Sequence, residues 1–140
     1  MRTLLDLQIA RDLSKDSGLS EADYDVLSTL SEKPEGCWRA QDLAAQLLWS
    51  TSRLAYHVGR MEQCGLVARQ PCADDARGAL ISLTQQGQTT LHQAAPPHVG
   101  SVRRHMIDLL TADEVAALDT IAAKVIIHLA GHVPTDLPPR

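Results

Sequence analysis

Leu54, Val58 and Met61 recur at i, i+4 and i+7 behind a polar Ser50, and this stripe marks an amphipathic helix in the middle of the chain. Ser50 suits its N-cap, and Gly65 suits the left-handed position just past its end. Upstream, Arg39 to Leu47 is strongly helix-forming and places Leu43, Ala44 and Leu47 on one face. The connection Leu48-Trp49-Ser50 has the length of the turn in a helix-turn-helix. Downstream, Leu66-Val67-Ala68-Arg69 and Leu80-Ile81-Ser82-Leu83 predict two strands joined by a polar, exposed loop over 71–78.

The same reading extends to both ends. Leu5, Ile9 and Leu13 stand four residues apart and predict a short helix over 3–15, ended by Gly18. Ser20 with Asp23 forms an acidic variant of the capping box, with Leu19 and Tyr24 as its staple. Pro34-Glu35-Gly36 is a turn, and Cys37-Trp38 a very short strand able to pair with the hairpin. From Thr84 the apolar spacing returns to three and four through Leu91, Ala95, Val99, Val102, Met106 and Leu109. Pro96-Pro97 interrupts that run and predicts a kink or break near Ala94-Ala95. Thr111 and Glu114 box the start of a last helix with Leu118, Ile121, Ala122, Val125 and Leu129 on its apolar face; Gly131 and Pro134 stop it.

The expected fold is mainly α with a small β-hairpin wing. A winged helix-turn-helix lobe occupies about 20–83, flanked by helices over 3–15 and 85–130, in one domain spanning 1–133 with a tail over 134–140. Both flanking segments carry apolar stripes that a small lobe cannot fully cover. A second copy of the chain covers them most economically, so these are read as dimerisation helices. The competing arrangement is a monomer that folds them over its own lobe.

Composition narrows the class only slightly. The chain has 140 residues and a net charge of −4. That charge is uneven: residues 38–80 hold five arginines against four acidic residues, while the remainder holds 8 basic and 13 acidic groups. An acidic body with a locally basic segment is consistent with a DNA reader. No apolar run is long enough to span a bilayer and residues 1–20 lack a signal-peptide pattern, which points to the cytoplasm. Cys37, Cys64 and Cys72 form no CxxC pair and read as reduced thiols.

On these residues the stretch from Leu19 to Gly87 resembles the MarR (multiple antibiotic resistance regulator) family of winged-helix regulators. The matching pieces are Leu19-Ser20 with Tyr24-Asp25-Val26-Leu27, Asp42-Leu43-Ala44, Ser50 with Ser52-Arg53-Leu54, Arg60-Met61-Glu62, Gly65-Leu66-Val67, Asp75-Ala76-Arg77-Gly78, and Leu83-Thr84 with Gly87. The Asp-x-Arg-Gly wing before Leu-Thr is the most specific of them. The resemblance implies a homodimeric, ligand-responsive repressor that binds a pseudo-palindromic operator in double-stranded DNA.

Arg53, His57 and Arg60 repeat at helical spacing, and a recognition helix enters the major groove by its N-terminal half. Ser50, Thr51, Ser52, Arg53 and His57 are therefore the base-edge or phosphate candidates. Arg60 and Arg39 are read as further DNA contacts, Arg60 to phosphate. Ser50 also caps the helix, so its roles overlap. By resemblance Arg77, at the wing, enters the minor groove, where a narrow groove concentrates negative potential. Asp75 and Gly78 shape the wing; Asp75 either pairs with Arg77 or Arg69 or is ordinary turn chemistry.

The resemblance also implies a small-molecule pocket between lobe and dimerisation helices, for an aromatic or anionic effector. Tyr24, Trp38, His98, Arg103 and Arg104 are its candidate lining, although Tyr24 and Trp38 serve equally well as core residues. No cofactor is expected. His128 and His132, and His98 and His105, invite a metal, but no Cys or carboxylate stands at a closed ligand spacing with them. An enzyme lacks support: there is no P-loop, GxSxG, GxGxxG or HExxH, and the polar cluster has no nucleophile–base pair. The alternatives are a metal- or redox-responsive regulator of the same fold, and a winged-helix module that binds protein instead of DNA.

Overall fold

The computed structural model describes residues 1–72 and 75–131. In order they form α1 (Arg2–Ser17), α2 (Glu21–Ser31), β1 (Cys37–Arg39), α3 (Ala40–Gln46), α4 (Thr51–Gln63), β2 (Val67–Cys72), β3 (Asp75–Leu83), α5 (Gln85–His105), a 3-10 turn (Ile107–Leu109) and α6 (Ala112–Ala130). The predicted caps form. Ser20 Oγ accepts the Asp23 N–H at 3.1 Å while Asp23 accepts the Ser20 N–H at 3.2 Å, and the Thr111–Glu114 box closes in the same way. Gly18 ends α1 in the left-handed region at φ 72°.

Helices α3 and α4 end alike. After α4, the Gly65 N–H donates to the Glu62 carbonyl and the Leu66 N–H to the Met61 carbonyl, both at 3.0 Å, with Gly65 at φ 74°. This paired closure occupies the orphan carbonyls of the last turn. After α3 the Leu48 N–H donates to Ala45 and the Trp49 N–H to Ala44, at 3.1 and 2.9 Å, but the left-handed residue is Leu48 at φ 55°. A leucine there costs about 1–2 kcal/mol. The turn between the two helices keeps that geometry against the residue's own preference.

Leu43 and Ala44 of α3 and Leu54, Val58 and Met61 of α4 are buried together with Val26, Leu27 and Leu30 of α2. The sheet closes the other side in the order β1-β3-β2, all antiparallel, with Trp38 and Arg69 both in register with Ile81. The hairpin is longer than expected: Pro71 pairs with Ala79 and Cys72 with Asp75, an irregularity falling between Pro71 and Cys72. The expected loop over 71–78 thus contracts to the segment between β2 and β3, and Gly78 lies within β3. Backbone pairing needs no apolar side chains, and proline is tolerated on an edge strand such as β2, so the polar composition misplaced the strand ends.

A tight junction joins α4 to α5. Thr84 caps α5 by accepting the Gly87 N–H at 2.9 Å, its hydroxyl donates to the Gly65 carbonyl, and its N–H donates to Leu66 O at 3.2 Å. Helix α5 runs unbroken through Pro96 and Pro97, so no break occurs near Ala94-Ala95. The carbonyls that lose helical donors to these prolines belong to His92 and Gln93, both exposed, where water can serve them. The interruption comes instead at Met106, whose φ of −139° leaves the helix, so the segment 85–130 is two helices joined by a 3-10 turn.

Helix α1 packs on α5 through the buried Leu13 and is clasped there by one carboxylate. Asp12 Oδ2 accepts from Ser101 Oγ at 2.6 Å and from Arg104 at 3.3 Å, and lies 2.9 Å from His105 Nε2; Gln8 donates to Oδ1 at 3.0 Å. Hydrogen bonds from Ser101 and then His105 hold its carboxyl down at about 2, from an ordinary 3.8. Helix α6, by contrast, buries none of its residues. Ile121, Val125, Ile126, Ile127 and Leu129 all stand exposed there. No described helix is long and apolar enough to cross a membrane.

Candidate nucleic-acid interface

Because Leu54, Val58 and Met61 turn inward, the rest of α4 divides into an outward face and two flanks. On one flank, Thr51 and Ala55 line an apolar groove of about 110 Å³ against Ala40 of α3 and Arg69 and Ala79 of the hairpin. Arg53, His57 and Arg60 lie on the other flank, toward α2 and the turn. Ser52 and Tyr56 are exposed and face away from the core, with the half-buried Gly59 beside them.

Ser50 is the N-cap, its hydroxyl accepting the Arg53 N–H at 3.1 Å, and Thr51, Ser52 and Arg53 are exposed in the first turn. The Arg53 guanidinium lies 4.2 Å above the centre of the Trp49 ring, a cation–π arrangement that limits where its fork can point. Trp49 also packs 5.2 Å from the His57 ring, and Tyr56 meets that ring edge-on at 5.3 Å. His57 is half-buried, with its Nδ1 enclosed and unpaired. Arg60 reaches toward the body, 3.8 Å from the buried Asp23 carboxylate. Two members of the expected donor stripe are therefore partly engaged inside the protein, and Arg53 is the one most open to a groove.

Across from this flank stands Asp25 of α2. Partial desolvation raises its carboxyl above the ordinary range, opposed by the charges of Arg53 and His98. Arg39 is exposed at the N-cap of α3. The backbone of Asp75 and Arg77 lies in β3, but the side chains of Asp75, Arg77 and Cys72 fall outside the described residues. The expected pairing of Asp75 with Arg77 or Arg69 therefore lies outside the described residues.

The expected pocket lining is only partly brought together. The Tyr24 and His98 rings lie 4.3 Å apart, and burial raises the Tyr24 hydroxyl's pKa. Arg104 is turned to Asp12, Arg103 donates to Asp108 at 3.0 Å, and Trp38 lies under the Lys33 ammonium at 3.8 Å. Among the described residues no three His, Cys, Asp or Glu side chains approach closely enough to hold a metal; His132 lies outside them. Cys37 and Cys64 carry free thiols.

Sequence reasoning passed over Trp49, Tyr56 and Gly59 because it followed charge. The usable signal was geometric: Ser52, Tyr56 and Gly59 are spaced i, i+4, i+7 opposite the apolar stripe.

Comparison with known proteins gives this arrangement a context. A MarR family model matches residues 17–78. AbsC, a MarR family transcriptional regulator from Streptomyces coelicolor, is 40% identical, with a TM-score of 0.83 over 93% of this chain and 87% of its own. Sco3205, a MarR family regulator from the same organism solved in complex with DNA, is 35% identical, with a TM-score of 0.87 over 99% and 88% of the two chains. The transcriptional regulator PecS of Dickeya dadantii is 28% identical over 116 residues, covering 81% of this chain and 69% of PecS.

Proposed function

The chain belongs to the MarR family of transcriptional regulators, and on that premise we propose that it is a cytoplasmic homodimeric repressor reading a pseudo-palindromic operator in double-stranded DNA. The observation that carries this reading is the start of α4. Its capped first turn presents Thr51, Ser52 and Arg53 to solvent, while the opposite face is locked into the core by Leu54, Val58 and Met61. A rigid, donor-rich helix end of this kind suits the major groove. Arg53 takes a base edge, Ser50, Arg39 and Arg60 lie beside phosphates, and Arg77 on the hairpin enters the adjacent minor groove. Sco3205, which shares 35% identity, was solved with DNA, and this supports the same partner here.

The second copy covers α6 and the outer side of α1, whose leucines and isoleucines stand exposed among the described residues. Paired α4 helices then address half-sites 10–10.5 bp apart, centre to centre. Repression is by occlusion, relieved when a small aromatic or anionic effector in the cleft beside Tyr24 and His98 alters the spacing of the two α4 helices. Tenfold relief needs about 1.4 kcal/mol of preference for the non-binding state.

The test is binding of the protein to the DNA flanking its own gene and to scrambled duplexes across a salt series, with light scattering on the same samples. The expected mass is twice 15.2 kDa. Arg53→Ala should cost roughly 1–3 kcal/mol on the operator and relax preference at one position per half-site. Arg77→Ala should weaken operator and random DNA evenly and remove about one counterion from the salt slope per protomer. Equal affinity of the unaltered protein for operator and scrambled DNA would refute sequence-specific binding.

A further inference from the structure

Resting on that DNA-reading function, we propose that Gly59 sets how deeply α4 seats in the groove: its missing side chain lets the duplex close against bare helix backbone. Glycine is the poorest helix former after proline, so one in the third turn of a recognition helix needs a reason. Four of the other glycines have theirs inside the protein. Gly18, Gly36 and Gly65 hold positive φ angles, and at Gly87 a Cβ would collide with the Leu66 carbonyl. Gly59 has an ordinary helical backbone, and a Cβ built there meets nothing within 4 Å. Neither backbone shape nor internal packing requires it.

Its place on the helix supplies the external reason. Gly59 follows Ser52 by seven residues and Tyr56 by three, on the face opposite the buried Leu54, Val58 and Met61. Tyr56, 64% exposed, stands beside it and is braced edge-on by His57. A helix lying in the major groove brings the middle of this face nearest the floor and walls of the groove. Absence of a side chain there shortens the approach for the neighbouring Ser52, Arg53 and Tyr56. Loosely held, sequence-independent complexes rest on longer-range charge and do not need that depth.

The experiment compares Gly59→Ala and Gly59→Leu with the unaltered protein, and with Gly100→Ala as control. Gly100 is also a helical glycine, on α5, where a Cβ would lie 3.9 Å from the Arg104 guanidinium, an ordinary contact. Melting temperature and binding to operator and scrambled duplexes are read for each. Gly59→Ala should melt roughly 2–4 °C higher through its better helix preference. It should nevertheless bind operator about tenfold more weakly, as an inserted methylene does in a packed site, and Gly59→Leu more weakly still. Scrambled DNA should be held nearly as before. Gly100→Ala should gain stability and keep operator affinity. Unchanged operator binding by Gly59→Leu overturns the proposal, as does an equal loss in Gly100→Ala, which would trace the effect to helix stiffening. If the unaltered protein itself shows no operator preference, the failure lies in the function proposed above and not in the role of Gly59.

Discussion

Replacing Gly87 by alanine should destabilise the fold even though it places a better helix former in the first turn of α5. The added Cβ would stand 1.9 Å from the Leu66 carbonyl oxygen and 3.0 Å from its carbon, with Leu83 Cδ2 at 3.3 Å. Real contacts of this kind stay beyond 3.0 Å, so the two backbones must separate by at least about 1.1 Å. The oxygen belongs to main chain and cannot swing aside. It also accepts the Thr84 N–H at 3.2 Å, a bond stretched or lost in the separation. Overpacking costs about 1–3 kcal/mol and the hydrogen bond about 0.5–1.5 kcal/mol. Against this the helix preference of alanine returns about 1 kcal/mol. A net loss of about 0.5–3.5 kcal/mol follows, read as a lower urea midpoint with an unchanged slope. Denaturation should be run at one fixed protein concentration, because the proposed self-association would add stability by mass action. If Gly87→Ala is as stable as the unaltered protein, Gly87 and the Leu66 carbonyl do not approach as closely as described.

The Asp12 clasp predicts a pH dependence. The native carboxyl titrates near 2 against an ordinary 3.8, so its stabilising effect is complete above about 4 and is lost as pH falls through 2. Acid denaturation of Asp12→Asn, followed by helical circular dichroism, should lack that component; an unchanged acid limb would contradict the clasp. Trp49 should act on DNA only through Arg53. Trp49→Ala should weaken operator binding about two- to fivefold beyond any change in fold, the worth of an exposed cation–π contact. In an Arg53→Ala background that loss should vanish, and Trp49→Phe should restore part of it; additive losses in the double-mutant cycle would deny the coupling.

Local chemistry made much of the fold legible in advance. The boxes at Ser20 and Thr111, the cap at Ser50 and the stops at Gly18 and Gly65 each rest on a few adjacent residues, and each forms as the spacing implies. What eluded the sequence depends on neighbours distant along the chain. The stripe of Arg53, His57 and Arg60 has the pattern of a solvent face, yet Asp23 and Trp49 draw its members inward. Leu48 takes a left-handed turn that no glycine announces. Ser101, Arg104 and His105, which meet Asp12, lie 89 to 93 residues further along the chain, and only folding reveals their meeting. The hairpin outgrew its apolar pattern because main-chain bonds carry it.

That α6 adds nothing to its own core has a bearing on how such a chain diversifies. In the dimer proposed above, substitutions at the exposed Ile121, Val125 and Leu129 would act on the pairing of the two copies and not on the buried core of the lobe. Descendants of one gene can therefore drift apart in α6 until each copy recognises only its own kind, while α4 still addresses the ancestral sequence. A duplicated regulator is in that way insulated from its sibling before its target changes, and mixed pairs with half-matched reading heads are avoided.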